Sequence, residues 1–151
     1  MNDEAFIKKG FLISTDNSLL DIDVIHQYLG RESYWAKGIT KEKVQRSIDN
    51  SMCFSIYHEK KQIGFARVIT DKATFAYLAD VFVLNAYRGQ GLSKWLMQTI
   101  LAHPDLQGLR RWVLATADAH GLYKQFGFEP LAIPDRWMNL FTPNPVPQGQ
   151  E

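Results

Sequence analysis

A candidate anion-binding turn lies in the run Val81, Phe82, Val83, Leu84, Asn85, Ala86, Tyr87, Arg88, Gly89, Gln90, Gly91, Leu92 and Ser93, where an apolar strand pattern passes through two glycines into a helical pattern. A helix N-terminus leaves its first amides unpaired and carries partial positive charge, so it can bind a phosphate or pyrophosphate without a metal. Gly89 and Gly91 lack a Cβ and let an anion approach the main chain closely. Arg88 adds a permanent cation with several donors beside them. Two better-known phosphate motifs do not fit. The P-loop needs four residues between its glycines and then Lys with Ser or Thr, whereas Gln90 alone separates Gly89 from Gly91. The dinucleotide fingerprint needs a third glycine where Lys94 stands. The alternative is a pair of glycines that only shapes a tight strand-to-helix turn.

Just upstream, Asp80 follows Tyr77, Leu78 and Ala79 as the only carboxylate in an apolar strand pattern, an unusual place for a charge. It is either a proton acceptor or a buried, hydrogen-bonded structural group. Arg67 is a second charge in an apolar strand, where pairing with a carboxylate is the expected arrangement and contact with an acidic acceptor the alternative. The single Cys53, between Met52 and Phe54, reads as a packed strand residue and cannot form an internal disulfide, which fits a reducing compartment.

The elements that must position these groups follow from periodicity. Phe11 to Thr15 reads as a short strand. Leu19, Ile22, Ile25, His26 and Leu29 recur at helical spacing, with Gly30 as the stop. Ser33 to Gly38 has no period and is read as a loop, after which Thr40 caps a helix carrying Val44 and Ile48. Met52 to His58, Gln62 to Thr70 and Thr74 to Leu84 are rich in β-branched and aromatic residues, and the charged turns between them make an antiparallel meander. Leu92, Trp95, Leu96, Thr99 and Ile100 mark a helix that Pro104 stops. Arg111 to Thr116 is a strand. A short helix follows with Ala119, Leu122, Tyr123 and Phe126 on one side, and Gly127 takes the left-handed position beyond it. Phe128 to Ile133 and Trp137 to Phe141 read as two final strands. The tail from Thr142, with Pro143, Pro145 and Pro147, has too little to bury and is expected to be disordered.

A length of 151 residues, 46% of them hydrophobic, suits one domain with one core, spanning residues 1–141 before the tail. Seventeen basic residues against 16 acidic leave a net charge of +1, which gives no field to recruit nucleic acid or anionic lipid, so any anionic ligand must be caught locally. The acidic opening lacks the apolar stretch of a signal peptide, and no segment approaches the ~20 apolar residues of a membrane span. A soluble cytoplasmic protein is expected.

Arg88, Gln90, Gly91 and Ser93 resemble the acetyl-CoA motif of the GNAT superfamily: Gln or Arg, two free positions, Gly, one free position, then Gly or Ala. Ser93 replaces the last small residue, and its hydroxyl can serve a cap or a phosphate oxygen. Gly121, Leu122, Tyr123, Lys124, Gln125, Phe126, Gly127 and Phe128 resemble the family's Leu-Tyr-x-x-x-Gly-Phe element. The resemblance covers nearly everything from Met52 to Leu131. It implies a mixed α/β fold whose mostly antiparallel sheet has two parallel strands that splay apart, here those ending at Val83 and near Thr116. Main-chain groups of Phe82 and Val83 would then pair with pantetheine amides, and amides from Arg88 through Gly89, Gln90, Gly91 and Leu92 to Ser93 would hold the pyrophosphate. Thr116 or Asp118 would stand in for a missing family Asn, and His120 would cap or contact CoA. Tyr34, Trp35 and Lys37 lie in the loop that overhangs the acceptor pocket in relatives of this layout, as an aromatic lid or as a satellite core, and Tyr77 on the strand before Asp80 would also contact the acceptor.

Acetyl transfer needs a neutral amine and a way to stabilise the departing thiolate. For a lysine-like amine, proton removal at neutral pH costs roughly 4 to 5 kcal/mol, and for a peptide α-amine only about 1 kcal/mol. Tyr123 is the candidate acid, with a plain core residue as the alternative. Asp80 is the candidate base, alongside His120 or a water chain. The expected function is N-acetyl transfer from acetyl-CoA, with no metal, to a small-molecule or peptide amine, and a homodimer is a candidate assembly. A non-catalytic CoA-binding sensor would need the glycine turn but not Tyr123.

Overall fold

The computed structural model describes residues 3–143. Five strands form one sheet in the order β1-β2-β3-β4-β5: β1 Phe11–Ser14, β2 Met52–His58, β3 Lys61–Thr70, β4 Phe75–Val83 and β5 Arg111–Val113. The first four pair antiparallel, as the meander reading expects. β5 alone runs parallel to its neighbour, through Phe75–Arg111, Ala76–Trp112 and Tyr77–Val113.

Helices cover both faces, which explains why β2 and β3 read as apolar runs rather than as clean alternation. On one face Phe54, Ile56, Val68 and Leu78 pack with Leu92, Trp95, Leu96, Met97 and Ile100 of helix α4, Leu92–Leu101. On the other, Cys53, Phe65 and Phe82 pack with Ile25 of α2, Ile22–Gln27, and with Val44 and Ile48 of α3, Lys41–Asp49. Full burial of a side chain such as Phe54 or Phe65 contributes about 1.5–3 kcal/mol, and both are completely inaccessible. Thr40 caps α3 by accepting from the Lys43 amide at 3.1 Å.

Several boundaries differ from the sequence expectation. α2 begins after Asp21, whose carboxylate accepts from the amides of Asp23 and Val24. It does not stop at Gly30: the chain widens into a π turn over Tyr28–Glu32, closed by the Ser33 amide on the Tyr28 carbonyl at 2.9 Å. A helix α1, Asp3–Lys8, is made by packing rather than by a periodic stripe, with Phe6 stacked on Trp95 at 4.5 Å. β5 ends at Val113 rather than Thr116, because the chain leaves β4 there. The two final strands are absent. Residues 128–141 hold only a turn at Pro134–Arg136, since alternation makes a segment competent for a strand but does not supply a partner. Of the expected tail, residues 144–151 lie outside the described residues.

Candidate active site

Beyond Tyr77, β4 runs on to Val83 with no strand partner on its β5 side among the described residues. The two parallel strands therefore part, as the sequence reading expects, and leave main-chain groups of Leu78–Val83 facing a cleft. β4 also carries a bulge, because Phe65 pairs with Phe82 while Arg67 pairs with Ala79, so Asp80 and Val81 stand opposite Ala66. Asp80 takes the left-handed conformation there, at φ 54°. Aspartate tolerates that region better than most residues.

The glycine turn closes one end of the cleft. Gly91 occupies the N-cap of α4 at φ 84° and supplies no side chain to the helix's first amides. Gly89 has φ 81°, and a Cβ added there would meet nothing within 4 Å. Both glycines are exposed. The turn is thus open to solvent, and its main chain can be approached without a side chain in the way. Phe82 and Val83 bury their side chains, and Phe82 stacks on Tyr28 at 4.1 Å.

The other end holds Tyr123, which is buried in α5, His120–Lys124. Burial pushes its phenol up to about 12, with smaller contributions in the same direction from Tyr34 and Asp118. The group therefore keeps its proton at neutral pH and acts as a donor. Its hydroxyl has no hydrogen-bond partner among the described residues, so the donor is available. Over this end passes the loop after the π turn: the Trp35 indole donates to Asp80 Oδ1 at 2.9 Å, and the Tyr34 hydroxyl accepts from the Ala117 amide at 2.7 Å. One loop thereby ties to β4 on one side and to the segment after β5 on the other.

Residues 49–130 match the family described as the acetyltransferase (GNAT) domain. Over 135 residues the chain is 31% identical to a candidate acetyltransferase of Gibberella zeae, with 75% of each chain covered. This chain belongs to the GNAT acetyltransferase family. A solved structure of a candidate GNAT acetyltransferase from Xanthomonas campestris pv. campestris is 56% identical, with a TM-score of 0.87 over 88% of this chain and 94% of that one. A candidate acetyltransferase of Clostridium acetobutylicum, solved with acetyl-CoA, shares the fold at a TM-score of 0.62 and 15% identity, over 87% of this chain and 94% of that one. The protein is accordingly an acyltransferase, and acetyl-CoA is the donor its family uses.

Within this GNAT domain the expected residues fall into two groups. Gly89, Gln90, Gly91, Leu92, Ser93 and the main chain of Phe82 and Val83 lie along the cleft and its turn. Toward its other end Trp35 and Arg67 both bond Asp80, and Tyr34 lies edge-on to Trp35 at 5.0 Å and near enough to raise the Tyr123 phenol, while Tyr77 pairs with Ile69 and Val113 in the sheet. Arg88 does not simply overhang the glycines. Its Nε donates to the Val83 carbonyl at 3.0 Å and its Nη2 to the Tyr28 hydroxyl at 2.8 Å, so it braces the end of β4. Thr116 caps the turn into α5 by accepting from the Ala119 amide at 3.0 Å, while His120 stands exposed at the start of that helix.

Both oxygens of Asp80 are engaged. Oδ2 accepts from Arg67 Nε at 2.8 Å, and Arg67 Nη1 in turn donates to Ser51 at 3.1 Å. The pairing expected of Arg67 is therefore present, with Asp80 as the partner. Ser51, Tyr28 and the Ala117 amide were not singled out from the sequence, where no spacing links them to the site. An open groove elsewhere, between α2 and α3 and lined by Ile22, Lys41, Glu42, Gln45, Arg46 and Asp49, shares no residue with the cleft.

Proposed function

We propose that this protein is an N-acetyltransferase that moves the acetyl group of acetyl-CoA to a primary amine by direct attack in a ternary complex. The observation that carries the reading is the exposed, left-handed Gly89 to Gly91 turn at the uncapped start of α4, beside the unpaired edge of β4. In this reading the amides of Gly89 to Ser93 hold the diphosphate, and the main chain of Phe82 and Val83 pairs with the pantetheine arm. The thioester supplies an activated acyl group and a thiolate leaving group.

Tyr123 serves the leaving thiolate. A phenol held at about 12 gives up a proton unfavourably to a thiolate whose ordinary pKa is about 8.5. Its contribution is therefore a hydrogen bond that strengthens as negative charge builds on sulfur, rather than a completed transfer. Asp80, with both oxygens already accepting, is better suited to holding Trp35 and Arg67 in place than to taking a proton from the amine. Proton acceptance then passes to water, which suits an amine of modest pKa such as an α-amine. Tyr34, Trp35 and Tyr77 present aromatic surface to the acceptor, and an ammonium approaching such faces is attracted by them. The loop tied across the cleft favours a small or terminal amine over one in the middle of a folded surface. Among the described residues no helix is long and apolar enough to cross a membrane.

The test is a screen of small amines, amino acids, polyamines and short peptides for acetyl-CoA-dependent thiol release. Turnover with at least one amine class, reduced by Tyr123→Phe, is expected. No release above the rate without amine, across all classes and with CoA bound, would overturn the reading.

A further inference from the structure

The N-terminal helix α1 adds no fully buried residue to either core, and its 6 residues are too few for a helix to be stable on its own. It is closed by the amides of Lys9 and Gly10 on the carbonyls of Phe6 and Ile7, both at 3.0 Å, and leads straight into β1. What it docks against is the start of α4. Phe6 stacks on Trp95 with ring centres 4.5 Å apart and planes 10° apart, and the Trp95 indole donates to the Asp3 carboxylate. The Trp95 amide in turn closes the first turn of α4 on the Gly91 carbonyl at 3.1 Å. A Cβ built on Gly91 would lie 3.8 Å from Phe6 Cζ, so the ring backs the glycine directly.

The other flank of the turn is held by the same end of the chain. Phe11, the first residue of β1, meets Phe6 and Tyr87 edge-on with ring centres at 6.4 and 6.2 Å, and the His58 ring lies 4.5 Å from Phe11 and 5.4 Å from Tyr87. His58 Nε2 donates to the Lys9 carbonyl at 3.1 Å, and Gln90 Nε2 donates to the Tyr87 carbonyl at 3.0 Å. Tyr87 and Gly91 bracket Arg88, Gly89 and Gln90, so ring packing grips the turn at both ends while the residues between stay exposed. Such external support matters because the turn has little of its own. Gly91 supplies no side-chain cap to α4, and a glycine loses more backbone freedom on being ordered than any other residue.

We infer that Phe6 is a positioning residue for the donor site: by packing behind Gly91 it holds the glycine turn in its left-handed shape in advance, so that less freedom is lost when the diphosphate of CoA binds. The inference rests on the proposal that this turn holds that diphosphate. Phe6 acts through Gly91 and Trp95 and need not touch the ligand. Phe82, on the strand proposed to pair with the pantetheine arm, packs instead on Tyr28 and Phe65 at the opposite face of the sheet. α1 therefore serves the diphosphate end of the donor and not its arm.

The experiment is calorimetric titration of the full chain with CoA and with pantetheine, in the wild type, Phe6→Ala, Phe6→Leu and Ile7→Ala, joined to amide hydrogen exchange. Phe6→Ala is expected to weaken CoA binding roughly tenfold, equivalent to ~1.4 kcal/mol, and to leave pantetheine binding unchanged. Exchange of the Trp95 amide should quicken while that of β2 and β3 stays as in the wild type. Phe6→Leu, which keeps an apolar side chain behind Gly91, should recover most of the lost affinity. Ile7 is 55% exposed on the same helix, and Ile7→Ala should bind CoA as the wild type does. If Phe6 only stabilises the fold, Phe6→Ala lowers the fraction of chains that bind, read as stoichiometry, and leaves the affinity for CoA unaltered. That result overturns the inference, as does equal weakening of CoA and pantetheine, or equal weakening in Ile7→Ala. Failure of the wild type to bind CoA removes the proposed donor site and the inference together, whereas wild-type binding with unaltered affinity in Phe6→Ala removes the inference alone.

Discussion

The Trp35 indole donates to the Asp80 carboxylate at 2.9 Å across 45 positions of sequence, which fixes the loop over the cleft to the bulge of β4. Asp80 can accept there because its left-handed backbone turns the carboxylate off the strand, between Trp35 and Arg67. The adjacent Tyr34 completes the tie on the far side through the Ala117 amide. The acceptor end of the site is therefore shaped by a side-chain network as much as by the sheet.

Asp80→Asn separates a positioning role from a basic one. The Arg67–Asp80 pair is mostly buried, with side chains 16% and 11% exposed, and breaking one partner of such a pair costs about 3–5 kcal/mol of stability. Chemical denaturation should show a loss of that order. In kinetics, KM for the amine should rise while the pH dependence of kcat keeps its shape. A general base would instead lose roughly 10²–10⁴ in kcat and its acid limb.

Tyr123→Phe removes the donor but little volume. Turnover should fall roughly 10²–10³-fold, the usual effect of deleting one donor to a developing anion, with acetyl-CoA affinity nearly unchanged by calorimetry.

The same phenol predicts an alkaline effect on stability. Its folded value is raised to about 12 from the ordinary tyrosine value of 10.0, so between these pH values the folded chain binds more protons than the unfolded one. Stability must then decline as pH rises through that window, and the contribution is complete below it. Thermal melts of the wild type should fall across the window more steeply than those of Tyr123→Phe.

Gly91→Ala tests the turn. A Cβ at φ 84° is strained even though the nearest side-chain atom, Phe6 Cζ, is 3.8 Å away. The strain costs about 1–2 kcal/mol. Because that strain shifts the amides proposed to hold the diphosphate, CoA binding should weaken by roughly tenfold, equivalent to ~1.4 kcal/mol, beyond any loss in stability.

Much of this molecule is legible in its sequence. The meander is visible because β-branched and aromatic runs alternate with charged turns, and the cradle because Gly89 and Gly91 sit where a strand pattern becomes helical. What escapes is long-range. Neither the Asp80–Trp35 tie nor the Arg88–Tyr28 brace, 60 positions apart, leaves a mark in spacing. α1 forms by docking Phe6 on Trp95, and so short a helix has no stability of its own to announce it. The strands expected at 128–133 and 137–141 show the reverse error: apolar alternation identifies a segment able to pair, while pairing depends on a neighbouring edge that sequence alone does not locate.

The most direct test of the central claim is calorimetric titration of the full chain with CoA and, separately, with pantetheine, which lacks the diphosphate. If the amides at the start of α4 grip that group, CoA binds and pantetheine binds far more weakly, with the difference shrinking in Gly91→Ala. Equal affinity for the two, or no heat of binding with CoA, would contradict the account.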